Sequence, residues 1–359
     1  MTTTSQSTSR QSIENTYPSR DGTQLFYRAW IPEKPRRGAM LLFHRGHEHS
    51  GRWQETVDTL GLDDLPVFAW DARGHGRSPG ERGWASDLAT VISDVDAFVK
   101  WISSHHGIPV EEMTVVATSV GAVIVSAWVH DYAPKIRALV LAVPAFRVRL
   151  YVPFAIELLR LRQVLLGPGF VKSYVKGRML THDPVEAQRY AEDPLIFPQI
   201  AVNMLLDLFD TSTRLIADAG AIDVPTLVLV AGSDWVVSQD AQHEFYDRLS
   251  SPVKRLVVLP GFYHAIFHEK ERHLVVEKIR EFFLDPEVEP RKRAFLLDAD
   301  RRGYTHDEFE RLRGPGSFVY TLLRWVMATV GRLSQGIRLG LESGFDSGVM
   351  LDYVYENRA

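Results

Sequence analysis

The sequence predicts an α/β fold with a mostly parallel central sheet that is covered by helices on both faces. Short apolar runs alternate along the chain with helix-like stretches, which is the order expected of a parallel sheet. These runs are almost continuously apolar, as strands that are buried on both faces require. The length of 359 residues suits one large α/β domain with insertions, or two domains.

Six strands are predicted where β-branched and other apolar residues cluster: 39–44, 66–71, 113–117, 138–143, 226–232 and 255–260. A helix is predicted over residues 88–107, where Gly107 and Pro109 end it. Its apolar residues recur three and four positions apart and share one face: Val91, Val95, Phe98, Val99 and Ile102.

The alternation of strands and helices breaks between residues 146 and 219, which carry helical patterns and no clear strand. Because this stretch lies between two strands, we expect a helical cap, or lid, over one end of the sheet. The expected domains are a disordered, Ser/Thr-rich segment (1–19), the first part of the core (20–145), the cap (146–219), the second part of the core (220–288) and a helical C-terminal extension (289–359).

The composition excludes several classes of function. A formal net charge of −4 gives no general attraction for nucleic acid, and the absence of cysteine excludes disulfides, thiolate metal sites and a cysteine nucleophile. The first twenty residues lack the apolar core of a signal peptide, and no apolar run reaches the ~18 residues of a membrane span. We therefore expect a cytoplasmic protein, with at most peripheral contact at the inner membrane face.

The stretch ATSVGA, residues 117–122, follows a predicted strand and precedes an apolar helix. In a nucleophile elbow, a sharp strand-to-helix turn presents a serine at the sheet edge, and the residues two before and two after the serine must be small. Here those residues are Ala117 and Gly121, which makes Ser119 the candidate nucleophile. The alternative is a small-residue loop whose serine has no function.

A serine nucleophile needs a base and a carboxylate that orients the base. Asp234 and His264 each lie in a loop after a predicted strand, and the order Ser119, Asp234, His264 is that of α/β-hydrolase triads. Taken singly, the aspartate could be a turn former and the histidine an exposed bystander. His268, which is followed by a glutamate, is the rival base.

The loop after the first predicted strand, HRGHEHSGRW, is expected to supply an oxyanion donor. Gly46 permits close approach, and its backbone N–H together with that of Val120 would form a two-donor hole. The alternative for this loop is a metal site formed by His44, His47 and His49, although no carboxylate–histidine cluster accompanies them.

The chain resembles α/β-hydrolases of the monoacylglycerol lipase and lysophospholipase group. The resemblance covers residues 20–285 and rests on RDGTQLFYRAW, HRGHEHSGRW, WDARGHGRSPGERG, ATSVGA, GSDWVV and GFYHAIFHE. It implies an α/β-hydrolase fold, a triad at Ser119, Asp234 and His264, and oxyanion donors at Gly46 and Val120. Two positions depart from the group: Arg45 replaces the glycine that usually follows His44, and Ala117 replaces the first glycine of the elbow.

These features together predict a serine carboxylester hydrolase that cleaves a lipid-like, small-molecule acyl ester and needs no metal or organic cofactor. An acyltransferase or thioesterase would use the same triad, and a non-catalytic partner of a methyltransferase is a third alternative. Residues 290–359 resemble the connector of bacterial proteins that fuse such a hydrolase to a methyltransferase, which implies a methyltransferase partner.

Two apolar surfaces are expected outside the site. In the cap, Leu150, Phe154, Leu158, Leu161 and Leu165 alternate with basic residues, which suits either a lid that contacts a membrane or packing on the core. In the C-terminal extension, an apolar stripe within residues 318–340 is expected to pack on the core or on a partner.

Overall fold

The computed structural model describes residues 9–286, of which residues 9–150 and 154–286 belong to one structural unit. Within it the strands are β1 (Ile13–Pro18), β2 (Gln24–Trp30), β3 (Ala39–Phe43), β4 (Val67–Trp70), β5 (Met113–Thr118), β6 (Ala138–Ala142), β7 (Phe170–Lys172), β8 (Gln199–Ala201), β9 (Thr226–Ala231) and β10 (Lys254–Leu259). The α-helices are α1 (Gln54–Thr59), α2 (Leu88–His106), α3 (Val120–Tyr132), α4 (Ala155–Leu166), α5 (Pro184–Glu192), α6 (Val202–Ala217), α7 (Gln239–Arg248) and α8 (His273–Leu284).

The central sheet has eight strands in the order β1-β2-β4-β3-β5-β6-β9-β10. The six strands predicted from the sequence, β3 to β6 with β9 and β10, pair in parallel throughout. Alternate residues of these strands pack into hydrophobic clusters on opposite faces: Leu41 and Phe43 lie in one, Met40 and Leu42 in the other. The predicted α/β fold with a mostly parallel sheet is therefore confirmed.

Helix α2 follows its prediction closely. The Asp87 side chain caps its N-terminus by accepting a hydrogen bond from the Thr90 N–H at 2.7 Å. Gly107 ends it in the left-handed conformation, with φ of 66°. Every residue of the predicted apolar face is buried, because that face covers the sheet.

Two expectations are corrected by the strands. β1 lies within residues 1–19, which we expected to be disordered, and it pairs antiparallel with β2 at the sheet edge. Its sequence gives a weak signal because only Tyr17 of its six residues is buried, so backbone pairing stabilises it more than side-chain burial does. In the cap, where no strand was expected, β7 pairs with β8. Each of these strands has three residues, too few for a recognisable periodicity.

The cap region contains α4, β7, α5, β8 and α6 and lies between β6 and β9. Helix α4 has one buried residue, Ile156, and a half-buried one, Leu159, which packs on the same small cluster. The remaining large apolar side chains of this helix are exposed: Leu158, Leu161, Val164, Leu165 and Leu166. Of the five residues expected either to contact a membrane or to pack on the core, Leu158, Leu161 and Leu165 are thus exposed, whereas Leu150 and Phe154 are half-buried. In the described part, no helix combines the length and hydrophobicity that a membrane span needs. The predicted C-terminal extension lies outside the described residues.

Candidate active site

Ser119 lies in the sharp turn between β5 and α3. Its φ of 55° is in the left-handed region, which is strained for a residue with a side chain and is typical of functional turns. The turn is held by the Ser119 N–H, which donates to the Ala142 carbonyl at 2.9 Å. A Cβ at Gly121 would lie 2.3 Å from the His44 carbonyl oxygen, so only glycine fits there. Ala117, by contrast, is accommodated as a fully buried residue of β5.

Ser119, His264 and Asp234 form one hydrogen-bonded chain. His264 Nε2 lies 2.8 Å from Ser119 Oγ, and His264 Nδ1 lies 2.8 Å from Asp234 Oδ2. Because an ionised carboxylate only accepts hydrogen bonds, Nδ1 carries the proton and Nε2 is left to accept from the serine hydroxyl. The imidazole is 1% exposed and the carboxylate is fully buried. This is the geometry of an activated serine nucleophile.

Asp234 is oriented by the backbone of its own turn. Its Oδ1 accepts hydrogen bonds from the Val236 N–H at 2.7 Å and the Val237 N–H at 2.9 Å. Its Oδ2 remains for His264. The aspartate is therefore both the turn former that the sequence allowed and the partner of the histidine.

His268, the rival base, does not meet the serine. Its Nδ1 lies 3.4 Å from Glu186 Oε2 in the cap, and its Nε2 lies 3.9 Å from Glu48 Oε1. Burial is the main cause that lowers its pKa to about 3, with nearby Arg52 adding to the effect. This histidine is a neutral member of the contact between cap and core.

Gly46 and Val120 are adjacent, as an oxyanion hole requires. A Cβ at Gly46 would lie 3.1 Å from Val120 Cγ2. The peptide that carries the Gly46 N–H is fixed from its other side, because the Arg45 carbonyl accepts from His44 Nδ1 at 2.7 Å. His44 Nε2 accepts from the Ala72 N–H at 3.0 Å, which assigns the proton to Nδ1. Burial lowers the His44 pKa to about 4, so this neutral tautomer persists at physiological pH.

The histidines of the alternative metal site each have a different partner. His44 bonds to the Ala72 backbone, His49 Nε2 lies 2.9 Å from Asp193 Oδ2, and His47 packs edge-on against Phe197. Across residues 9–286, no three side chains of His, Cys, Asp or Glu are grouped so that they could hold a metal ion. The histidines of this loop instead connect it to its surroundings.

A buried ionic cluster beside the triad was not predicted from the sequence. Glu48 Oε1 lies 3.0 Å from Arg45 Nη2 and 3.4 Å from Arg52 Nε, and Arg52 Nη2 lies 3.3 Å from Glu186 of the cap. Burial opposes ionisation of Glu48, but Arg45 and Arg52 hold its pKa well below the usual range. Arg45, Glu48 and Arg52 are three and four positions apart, a spacing that indicates pairing within the loop, whereas Glu186 is remote in sequence.

This cluster lines a pocket that adjoins the triad. Thr118 and Ala265, the chain neighbours of Ser119 and His264, lie in the pocket wall together with Arg45, Glu48, Arg52 and His268. Trp53 and Phe267 supply apolar wall and contact each other with ring centroids 4.7 Å apart. The pocket thus combines charged groups with an apolar side.

Glu269 is a further buried carboxylate near the triad. It accepts hydrogen bonds from the Tyr263 N–H at 2.8 Å and from the His182 N–H at 3.0 Å. Thr181 adds a bond to the His268 carbonyl at 2.7 Å. The loop that carries His264 is therefore attached to the segment leading into α5.

Two family models match the chain. Residues 34–271 match the hydrolase family described as serine aminopeptidase, S33, and residues 279–359 match one described as putative methyltransferase. The uncharacterized protein YnbC of Escherichia coli is 47% identical over 352 residues, which are 96% of this chain but 60% of YnbC. The chain thus spans less than two thirds of that relative.

Other similar proteins include lipases. The monoacylglycerol lipase of Mycolicibacterium smegmatis is 28% identical over 76% of this chain and 96% of the lipase. Human monoglyceride lipase is 27% identical over 69% of this chain and 82% of its own length. Among solved structures, the Paleococcus ferrophilus monoacylglycerol lipase has a TM-score of 0.66 with 24% identity, over 73% of this chain and 99% of that one. A soluble variant of the Saccharomyces cerevisiae monoglyceride lipase has a TM-score of 0.69 with 19% identity, over 79% and 98% respectively.

Proposed function

We propose a catalytic triad for this chain, which belongs to the hydrolase family described as serine aminopeptidase, S33: Ser119 is the nucleophile, His264 the base and Asp234 the group that orients the base. The chain has the α/β-hydrolase fold, and the activity that we propose for it is that of an ester-hydrolysing serine hydrolase. The hydrogen-bonded chain from Ser119 through His264 to Asp234 is the observation that supports these roles most strongly.

The proposed reaction proceeds through an acyl-enzyme. Ser119 Oγ bonds to the ester carbonyl carbon while His264 Nε2 takes the hydroxyl proton, and the N–H groups of Gly46 and Val120 stabilise the tetrahedral oxyanion. As the intermediate collapses, the bond to the leaving alcohol breaks and His264 returns the proton to it. Water then attacks the acyl-enzyme by the same steps and releases the acid. No metal or organic cofactor takes part.

The proposed substrate is a lipid-like acyl ester of the monoacylglycerol or lysophospholipid class. The lipase relatives support this choice. Transfer of the acyl group to an alcohol or a thiol, or hydrolysis of a thioester, would use the same groups.

Substitution of the triad residues, combined with product analysis, tests this function. Ser119→Ala should abolish hydrolysis of a monoacylglycerol and of p-nitrophenyl butyrate, since loss of the nucleophile costs about 10⁶-fold in rate. His264→Ala should be similarly inactive, whereas His268→Ala, which leaves the triad intact, serves as the matched control.

The products are to be identified with and without an added alcohol acceptor. Free fatty acid in both conditions supports hydrolysis, whereas predominant formation of a new ester would make the protein an acyltransferase. Substantial activity of Ser119→Ala would refute the proposed nucleophile, and an active His264→Ala beside an inactive His268→Ala would make His268 the base.

We also propose that residues 146–219 act as a lid at lipid surfaces and that the chain works at the inner membrane face from the cytoplasm. The exposed apolar side chains of α4 support this, because they form an apolar face with basic residues beside it.

We propose a methyltransferase as the partner of the C-terminal extension, residues 289–359. The match of residues 279–359 to a methyltransferase model supports it.

A further inference from the structure

One side of α5 and the turn after it contacts the loop of residues 44–53, which we call the oxyanion loop. The cap residues involved are Glu186, Tyr190, Asp193 and Phe197, which recur four, three and four positions apart. The spacings between the first three residues are those of one helix face. Each meets a different loop residue: Arg52 pairs with Glu186, Arg45 with Tyr190, His49 with Asp193 and His47 with Phe197.

Arg45 links the residue before Gly46 to the cap. Its guanidinium carbon lies 4.7 Å from the centre of the Tyr190 ring, and its Nη2 pairs with Glu48 at 3.0 Å. Arg45 is 5% exposed, and a cation–π contact is stronger at such a desolvated site than at an exposed one. The Arg45 side chain is therefore held in one orientation by the cap and by its own loop.

His47 links the residue after Gly46 to the cap. Its φ of 67° is in the left-handed region, a conformation that is unfavourable for a residue with a side chain and persists only where the surroundings impose it. The His47 ring meets the Phe197 ring edge-on, with centroids 5.7 Å apart. The cap thus contacts a strained residue next to the proposed oxyanion donor.

The direction of the Gly46 N–H depends on both neighbours. This N–H belongs to the peptide that joins Arg45 to Gly46, so rotation at Arg45 or at Gly46 turns the donor away from the position of the oxyanion, and His47 restricts rotation at Gly46 by fixing the chain that follows it. Val120 limits movement on one side, because its Cγ2 is 3.1 Å from where a Gly46 Cβ would lie. On the other side, the loop rests against the cap through Arg45 and His47.

We propose that Tyr190 and Phe197 of the cap are positioning residues for the oxyanion hole and act through Arg45 and His47. This rests on the proposed function, in which Gly46 supplies an oxyanion donor. Arg45 and His47 lie on either side of Gly46, and both carry long side chains that reach the cap. Removal of either cap ring should weaken binding of the transition state and leave binding of the substrate nearly unchanged.

The experiment compares Tyr190→Ala and Phe197→Ala with Tyr190→Phe in the full chain. Loss of one oxyanion donor costs about 10²–10³-fold in kcat, so a displaced donor should cost about 10–100-fold, with KM for p-nitrophenyl butyrate within about twofold. Tyr190→Phe keeps the ring over Arg45 and should retain kcat within about threefold. Val185→Ala, on an exposed position of the same helix, is the matched control.

Inhibition by a trifluoromethyl ketone separates positioning from general stability, because this compound forms a tetrahedral oxyanion on the serine. Its Ki should rise in parallel with the fall in kcat for both alanine variants. A merely structural role would lower the melting temperature and leave Ki and kcat per titrated active site unchanged, and that result would overturn the proposal. If Tyr190→Ala does not fold, Tyr190→Leu, which keeps the volume without the π face, is expected to show the same loss.

Ser119→Ala in the same series distinguishes failure of the positioning role from failure of the proposed function. If Ser119→Ala is inactive and both cap variants retain full kcat, only the positioning role is wrong. If Ser119→Ala remains active, the proposed function itself is wrong.

Discussion

Replacement of Asp234 by asparagine should inactivate the enzyme while leaving its fold intact. The amide oxygen can keep the position of Oδ1, which accepts from the Val236 and Val237 N–H groups. The amide NH₂ then faces His264 Nδ1, which lies 2.8 Å from Oδ2 in the native protein. Two donors cannot share that contact, so the imidazole must carry its proton on Nε2 and can no longer accept the proton of Ser119.

The loss expected for this wrong tautomer is about 10⁴-fold in kcat, which corresponds to about 5.5 kcal/mol of transition-state stabilisation. The assay is kcat on p-nitrophenyl butyrate, measured together with the melting temperature. Asp234→Ala is the informative control: it should be equally inactive, but less stable by about 1–3 kcal/mol for each backbone N–H that it leaves without an acceptor. More than a tenth of native kcat in Asp234→Asn would refute the role assigned to this carboxylate.

Three further predictions follow from other contacts. Gly121→Ala should lose activity and about 1–3 kcal/mol of stability, measured by kcat and urea unfolding, because its Cβ would lie 2.3 Å from the His44 carbonyl oxygen; native values for both would contradict this. Between pH 6.5 and 4 the unfolded chain binds protons that folded His44 and His268 do not, since burial lowers their pKa values to about 4 and about 3. Each of these two histidines should therefore lower the free energy of unfolding by up to about 1.4 kcal/mol per pH unit as the pH falls from 6.5 to 4. A urea midpoint that does not change with pH in this range would contradict the prediction. Leu161 and Leu165, exposed on α4, should support sedimentation with anionic vesicles, and changing both to serine should reduce it; equal sedimentation of variant and native protein would exclude this face as the membrane contact.

The sequence predicted best those features that depend on the burial of apolar residues and on the order of the elements along the chain. Strands β3 to β6 and β9 are buried on both faces, so their apolar patterns predicted them almost to the residue. The edge strand β10 is mostly half-buried, but its apolar run from Leu256 to Leu259 was enough to predict it. Each predicted triad residue follows one of these strands, and the parallel sheet brings their carboxyl ends to one edge. That is why residues 145 positions apart, Ser119 and His264, meet at hydrogen-bond distance.

The contacts between the cap and the core could not be predicted in the same way. Arg45 beside Gly46 was visible as a departure, but its partner Tyr190 is remote in the chain and lies on a helix of ordinary composition. No periodicity or spacing in the sequence connects Arg45 with Tyr190. β1 was missed for a related reason, since a strand whose side chains are mostly exposed is stabilised by backbone pairing, which leaves little trace in hydrophobicity.

Covalent labelling with a fluorophosphonate probe, followed by peptide mass spectrometry, tests directly whether Ser119 is the nucleophile. The triad predicts that the probe modifies Ser119 alone, and that Ser119→Ala is not labelled. His264→Ala should label far more slowly, because the hydroxyl then has no base at 2.8 Å. Labelling of a different residue, or labelling that persists in Ser119→Ala, would contradict the assignment of Ser119 as the nucleophile.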